Sequence, residues 1–198
     1  LQHHKQERAL EMIPELAREF RRRFGRDSGG LARPYRCEDA ETIVVALGSV
    51  NGTVKEAVDA LRDRGLSVGS LSILSFRPFP LAEVQAALHR ANRVVILEKC
   101  LAVGIGGIVS DGVRKALSGI AIHTHTVIAG LGGRAITRRS LMDMIERAAA
   151  GGLPTLDFLD LKWDVVKREL EREREQRRAG PTAANILRDL GTVAARIG

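Results

Sequence analysis

The sequence predicts a three-layer α/β/α domain on a mainly parallel sheet, with helical extensions before and after it. From Ala40 onward, four short apolar runs alternate with segments whose apolar residues recur at helical spacing. Each link between runs is long enough for a crossover helix, which parallel neighbours require and antiparallel hairpins do not. The first run, Thr42 to Leu47, is continuously apolar instead of alternating, as expected for a strand covered on both faces.

The first segment places Leu10, Ile13, Ala17, Phe20 and Phe24 on one helical face, with Gly25 as the stop. Pro14 removes a backbone donor, so this helix is expected to start near it or to bend there. Asp27 to Pro34 reads as a glycine-rich loop. Thr42 to Leu47 (TIVVAL) is the first strand, ended by Gly48 and Ser49, and Val54, Ala57, Val58 and Leu61 then mark a helix that Gly65 closes. Gly69 to Ser75 is the second strand, followed by a helix from Pro80 to Ala91 with Leu81, Val84 and Leu88 inward. Arg93 to Leu97 is the third strand, and Ile105, Ile108, Val109, Val113 and Leu117 outline the next helix. Ala121 to Ile128 is the fourth strand. Thr137 is placed to cap a last core helix whose Leu141, Met144, Ile145 and Ala148 face inward.

From Gly151 the character changes to an extended arm, then to a helix at Lys162 to Arg178 dense in both signs of charge. Its like-signed pairs at four-residue spacing, Glu171 with Glu175 and Arg174 with Arg178, offset the favourable ones, so the helix reads as solvated. After Gly180 and Pro181, a second amphipathic helix presents Ile186, Leu187, Leu190, Val193 and Ile197.

The 198 residues suffice for one good core. The chain begins at Leu1, directly in a charged helical pattern, and is expected to be cut from, or to continue, a longer polypeptide. No apolar run is long enough for a membrane span and no secretory leader opens the chain, so a soluble, cytoplasmic protein without a membrane partner is expected. The net charge of +7 is spread evenly over the chain, and aromatic residues make up only 4%. Nucleic-acid binders concentrate charge in a stripe and interleave aromatics, so that class is excluded. Cys37 and Cys100 lack disulfide or metal-like spacing and read as reduced thiols.

Chemistry-bearing residues gather where strands end. Gly104, Gly106 and Gly107 precede a helix, as a phosphate loop would, but Asp111 fills the last place of GxGxxG and no P-loop Lys follows, so close helix packing is the better reading. Gly130, Gly132, Gly133 and Arg134 follow the fourth strand at the carboxyl edge, where open α/β sheets place ligands. A turn needing positive φ, with Arg134 paired to a carboxylate of a partner, is preferred there over ligand binding. Glu98 ends the third strand at the same edge and is the carboxylate expected near Arg134. Arg77, fixed between Phe76 and Pro78, is suited to an anion, to helix carbonyls or to a neighbouring chain. His123 and His125 share a strand face without a third ligand, and read as core or interface histidines. No nucleophile motif such as GxSxG occurs, and no catalytic, cofactor-binding or metal residue is assigned.

The phrases Phe24 Gly25 Arg26, Asp39 Ala40 Glu41, Ala46 Leu47 Gly48 Ser49, Phe76 Arg77 Pro78 Phe79 Pro80 and Ala129 Gly130 Leu131 Gly132 Gly133 Arg134 occur in an order that carries a resemblance. The chain resembles the transketolase C-terminal-like domain in the alpha subunit of 2-oxoacid:ferredoxin oxidoreductases, best known for pyruvate. The resemblance implies a fifth strand, antiparallel at one edge and placed near Leu153 to Leu159, which brings the sheet to about five strands. It implies residues 1–39 as a helical linker from an upstream thiamine-binding domain and residues 40–159 as the domain itself; residues 160–198, a charged helical extension, fall outside the resemblance. It further implies an assembly role. Thiamine diphosphate, magnesium and [4Fe–4S] clusters would belong to the complex and not to this chain. Partners would be beta, gamma and delta-like subunits, with ferredoxin and coenzyme A met through the complex. Rival readings are the equivalent domain of a dehydrogenase E1 beta subunit or a transketolase, a flavodoxin-like binding module, and a non-enzymatic interaction protein.

Overall fold

A computed structural model describes residues 1–175 and, beyond them, Ile186 and Leu190. The elements run α1 (Gln2–Phe24), β1 (Ala32–Tyr35), β2 (Thr42–Leu47), α2 (Val50–Arg62), β3 (Val68–Ile73), α3 (Leu81–Leu88), β4 (Arg93–Glu98), α4 (Ile108–Ala116), β5 (His123–Ile128), α5 (Arg138–Ala149), β6 (Leu156–Phe158) and α6 (Trp163–Glu175). One 3₁₀ turn, Leu131–Gly133, lies between β5 and α5. The chain divides into two units, Leu1–Asp160 and Leu161–Gly198, each described by itself.

The first unit holds a six-stranded sheet in the order β1-β3-β2-β4-β5-β6, parallel except for β1. Strand β2 sits at its centre, with five of its six residues buried, because Ile43 and Val45 feed one face and Val44 and Ala46 the other. On one face Val44, Ala46, Val95, Leu97 and Val127 pack against α2 and α5. On the other, Ile43, Val45, Ile73, Val94 and Ile96 pack against α3 and α4. Each such fully buried aliphatic contributes about 1.5–3 kcal/mol before conformational entropy is subtracted. Thr137 caps α5 by accepting the Ser140 N–H at 3.1 Å, as its sequence position predicts.

The antiparallel edge strand lies at the opposite end of the sheet from where it is expected. β6, near Leu153 to Leu159, pairs parallel with β5, and the antiparallel strand is β1, which begins inside the stretch read as a loop and ends one residue beyond it. Pro34 explains why β1 carries no strand signal: proline cannot donate to a ladder and is tolerated only at an edge.

Pro14 does not start α1, which runs unbroken from Gln2. No residue of α1 is buried, and the carbonyl that Pro14 leaves without a helix donor is that of the half-buried Leu10. α4 starts at Ile108, leaving Ile105 in the preceding loop at 67% exposure; Ile108 and Leu81, also expected inward, are exposed.

In the second unit α6 is largely exposed, with Glu169 flanked by Arg168 at 3.9 Å and Arg172 at 3.6 Å. The remainder of the charged helix and the stretch 187–197 lie outside the described residues, apart from Leu190; Ile186 and Leu190 are helical and exposed.

Candidate functional site

Strand order turns back on itself between β2 and β4: the chain goes from β2 outward to β3, then crosses to β4 on the other side. Crevices outside the carboxyl ends of strands at such a reversal are the ligand-binding places of open α/β sheets. A cleft of about 370 Å³ lies there, lined by Ser49, Val50 and Thr53 from the start of α2, by Lys99 after β4, and by Arg134, Ala135 and Ile136 after the 3₁₀ turn. Gly130, Gly132 and Gly133 all have positive φ, of 69°, 65° and 80°, and this left-handed backbone folds the segment into the turn that delivers Arg134. Arg134 donates to the backbone carbonyl of Asp160 and forms no ion pair with Glu98.

The expected approach of Glu98 to Arg134 fails for a reason of strand parity. Glu98 shares a face of β4 with Val94 and Ile96, toward α3 and α4, whereas the cleft opens on the side of α2. The Glu98 carboxylate is 1% exposed and accepts the Ser110 N–H at 2.7 Å and the Ser110 hydroxyl at 3.0 Å. Ser110 is the third residue of α4, and its N–H is one of the donors that a helix start leaves unpaired. The N-cap is Gly107, which has no side chain to offer, so Glu98 reaches across from the strand and does the capping. A Cβ on Gly107 would collide with the Glu98 carboxyl group, which is why glycine stands there.

The compensation continues inward as a row of aligned donors. Thr126 donates to the Ser110 hydroxyl at 2.9 Å, and Arg114 donates to Thr126 at 2.7 Å. Arg114, half-buried one turn after Ser110, places a positive charge at the far end of a row whose near end is a buried anion. Ser110, Thr126 and Arg114 have no motif, although Ser110 and Arg114 at four-residue spacing share a helix face. Gly104 and Gly106 also take positive φ, of 82° and 105°, in a tight loop closed by Ala102 and Gly106. That loop exposes Leu101, Val103 and Ile105.

Arg77 is exposed, stacked over Phe76 at 4.0 Å and bonded to the Phe76 carbonyl at 2.8 Å, apart from the cleft. His123 is exposed, and His125 contacts the Pro154 carbonyl at 3.0 Å, so neither is a core residue. At the amino edge, Arg62 grips Asp39 at 2.5 and 3.1 Å; these hydrogen bonds hold the Asp39 carboxyl below its ordinary range and raise the guanidinium. Cys37 is buried and donates to the Ser70 carbonyl at 3.2 Å, and burial pushes its thiol up. No described helix is long and apolar enough to cross a membrane.

Residues 40–141 match the family described as pyruvate:ferredoxin oxidoreductase core domain II. The pyruvate synthase subunit PorA of Methanothermobacter thermautotrophicus is 40% identical over 141 residues, covering 71% of this chain and 36% of that protein. PorA of Thermotoga maritima is 40% identical over 149 residues, covering 74% and 38%. The ketoisovalerate oxidoreductase subunit VorA of Pyrococcus horikoshii is 35% identical over 168 residues, covering 82% and 42%. The chain thus spans less than half the length of these relatives. With just over half of its own residues following that pattern, the chain belongs to the pyruvate:ferredoxin oxidoreductase core domain II family.

Proposed function

We propose that this chain is the non-catalytic assembly domain of the alpha subunit of a 2-oxoacid:ferredoxin oxidoreductase, with pyruvate as the 2-oxoacid. In that complex thiamine-dependent oxidative decarboxylation yields an acyl-coenzyme A and sends electrons to ferredoxin. The observation that carries the reading is the family match across residues 40–141, joined to relatives that are pyruvate synthase and ketoisovalerate oxidoreductase subunits.

The residues present do not fit the cofactors of such a complex. Two cysteines, one buried and one exposed, fall short of the four thiolates that hold an iron–sulfur cluster. Among the described residues no three His, Cys, Asp or Glu side chains converge on a metal position. Thiamine diphosphate, magnesium and [4Fe–4S] clusters belong, on this reading, to other parts of a cytoplasmic complex. On this reading residues 1–39 link to an upstream domain, 40–159 are the assembly domain, 160–198 extend it, and beta, gamma and delta-like subunits are the partners. The exposed apolar side chains Met12, Leu16, Phe20 and Phe24 of α1 are where an assembly domain would meet them.

The test is recovery of the tagged chain from native lysate under anaerobic conditions, with identification of the retained chains. A thiamine-binding beta chain together with a cluster protein supports the reading. Lipoyl-bearing partners would move the chain to an E1 complex, and a monomer without partners would overturn the assembly role.

A further inference from the structure

We infer that the cleft between β2, β4 and the Leu131–Gly133 turn is a binding site for a phosphate group, free or at the end of a small phosphorylated molecule. The inference stands on the cleft alone and does not depend on the assembly role. Three independent observations converge on it.

Topology comes first. The cleft sits at the carboxyl ends of the two strands between which the strand order reverses, where backbone from two diverging connections leaves a crevice.

The second observation is charge. The connections leaving β2, β3, β4 and β5 at this edge, residues 48–53, 74–80, 99–107 and 129–139, contain Arg77, Lys99, Arg134, Arg138 and Arg139 and not one Asp or Glu. None of those five cations makes an ion pair with a carboxylate among the described residues. The amino edge is built the other way: Arg36 pairs with Asp59 at 3.0 Å, Arg62 with Asp39 at 2.5 Å and Arg64 with Glu146 at 2.9 Å. The five cations of these four connections are left without a carboxylate, whereas those three at the amino edge are paired. A cleft walled by one sign of charge focuses its field and raises the local concentration of anions.

The third observation is the lining. The cleft takes in the start of α2, whose first turn has no acidic residue, and helix starts favour negative charge. Within the cleft, Lys99 supplies a point charge, Arg134 a fork of which one arm is spent on the Asp160 carbonyl, and Ser49 and Thr53 hydroxyl donors. Donors of this kind suit a tetrahedral oxyanion with several acceptor oxygens.

The experiment is a titration of the full 198-residue chain with inorganic phosphate, followed by amide correlation spectra at constant ionic strength held with chloride. A second titration uses glycerol 1-phosphate. Saturable shifts confined to the amides of Ser49 to Thr53, Lys99 and Arg134 are expected. Lys99→Met and Arg134→Gln should each weaken binding about tenfold or more, the worth of one charged hydrogen bond. Arg139→Gln, outside the cleft, should leave it within about twofold. Tighter binding of the ester than of phosphate assigns the site to a phosphorylated small molecule, and equal binding to the free anion. Shifts that never saturate, that chloride alone reproduces, or that Arg139→Gln weakens as much as Arg134→Gln would reduce the edge to a diffuse field and overturn the inference.

Discussion

Glu98 shows how one buried carboxylate is made tolerable. Its neighbours are a backbone donor, a row of hydroxyls and, at the end of the row, Arg114. Glu98→Ala strands the Ser110 N–H and hydroxyl without an acceptor, and a loss of about 1–3 kcal/mol in urea unfolding is expected. Glu98→Gln keeps an acceptor oxygen and should lose less. Gly107→Ala tests the same contact from the other side, since its φ of −115° suits any residue and only the collision with Glu98 is added; a loss of about 1–3 kcal/mol is expected there as well. Asp39 gives a prediction in pH. Its folded pKa is lowered by Arg62, so the stabilisation is present above the ordinary carboxylate range and is lost as pH falls through the folded value. Arg62→Met should raise the Asp39 titration midpoint, followed by carboxyl NMR, and soften the acid limb of the stability curve; an unmoved midpoint would refute the pairing. At this scale the sequence shows residue types and strand ends well: Glu98 and Arg134 both read as edge residues, whereas Lys99 enters only with the cleft. What it does not show is the partner. Alternation along β4 already separates the Glu98 face from the cleft, but the Ser110–Thr126 contact joins a helix to a strand only once both have packed.

Among the elements, the central strands and core helices are legible because packing and period agree, as in β2, where an unbroken β-branched run meets a fully covered position. β1 escapes notice because four residues including Pro34 have no period, and their pairing with β3 is set by tertiary context. The direction of β6 escapes for a related reason: three residues at an edge contain nothing that distinguishes a parallel from an antiparallel neighbour. The helix α1 is legible as amphipathic, and its apolar residues belong to neither core cluster. This separation has a measurable consequence. Phe20→Ser with Phe24→Ser should change the stability of the sheet domain by less than about 0.5 kcal/mol, as surface substitutions do. The same pair should reduce recovery of partner subunits, because the Phe20 and Phe24 rings meet at 4.8 Å, tilted by 42°, with Phe24 still 60% exposed. A large fall in melting temperature would place α1 in the core and remove the reason to treat its face as a contact.

Across the whole molecule, protection should follow the distance of each element from the sheet edges. β2 and β4 are neighbours at the centre of the order, each flanked by a hydrogen-bonded strand on both sides and covered by helices on both faces. Releasing an amide of Ile43 to Ala46 or Val94 to Leu97 therefore requires opening both layers, which approaches global unfolding. β1 and β6 each have one free edge and only four and three residues, and a local opening there breaks few bonds. α1 buries no residue, and helices without a packed face are marginal in water, so its amides should exchange fastest among the helices of the first unit. Hydrogen exchange followed by mass spectrometry on the isolated chain should rank the β2 and β4 amides slowest, those of β1 and β6 intermediate and those of α1 fastest. Adding the partner subunits then separates two sources of protection. The order within the sheet is intrinsic and should persist, whereas α1 gains protection only where something covers it. If α1 is already as protected as β2 in the isolated chain, its apolar face is satisfied within this molecule, and a partner is not needed to explain it.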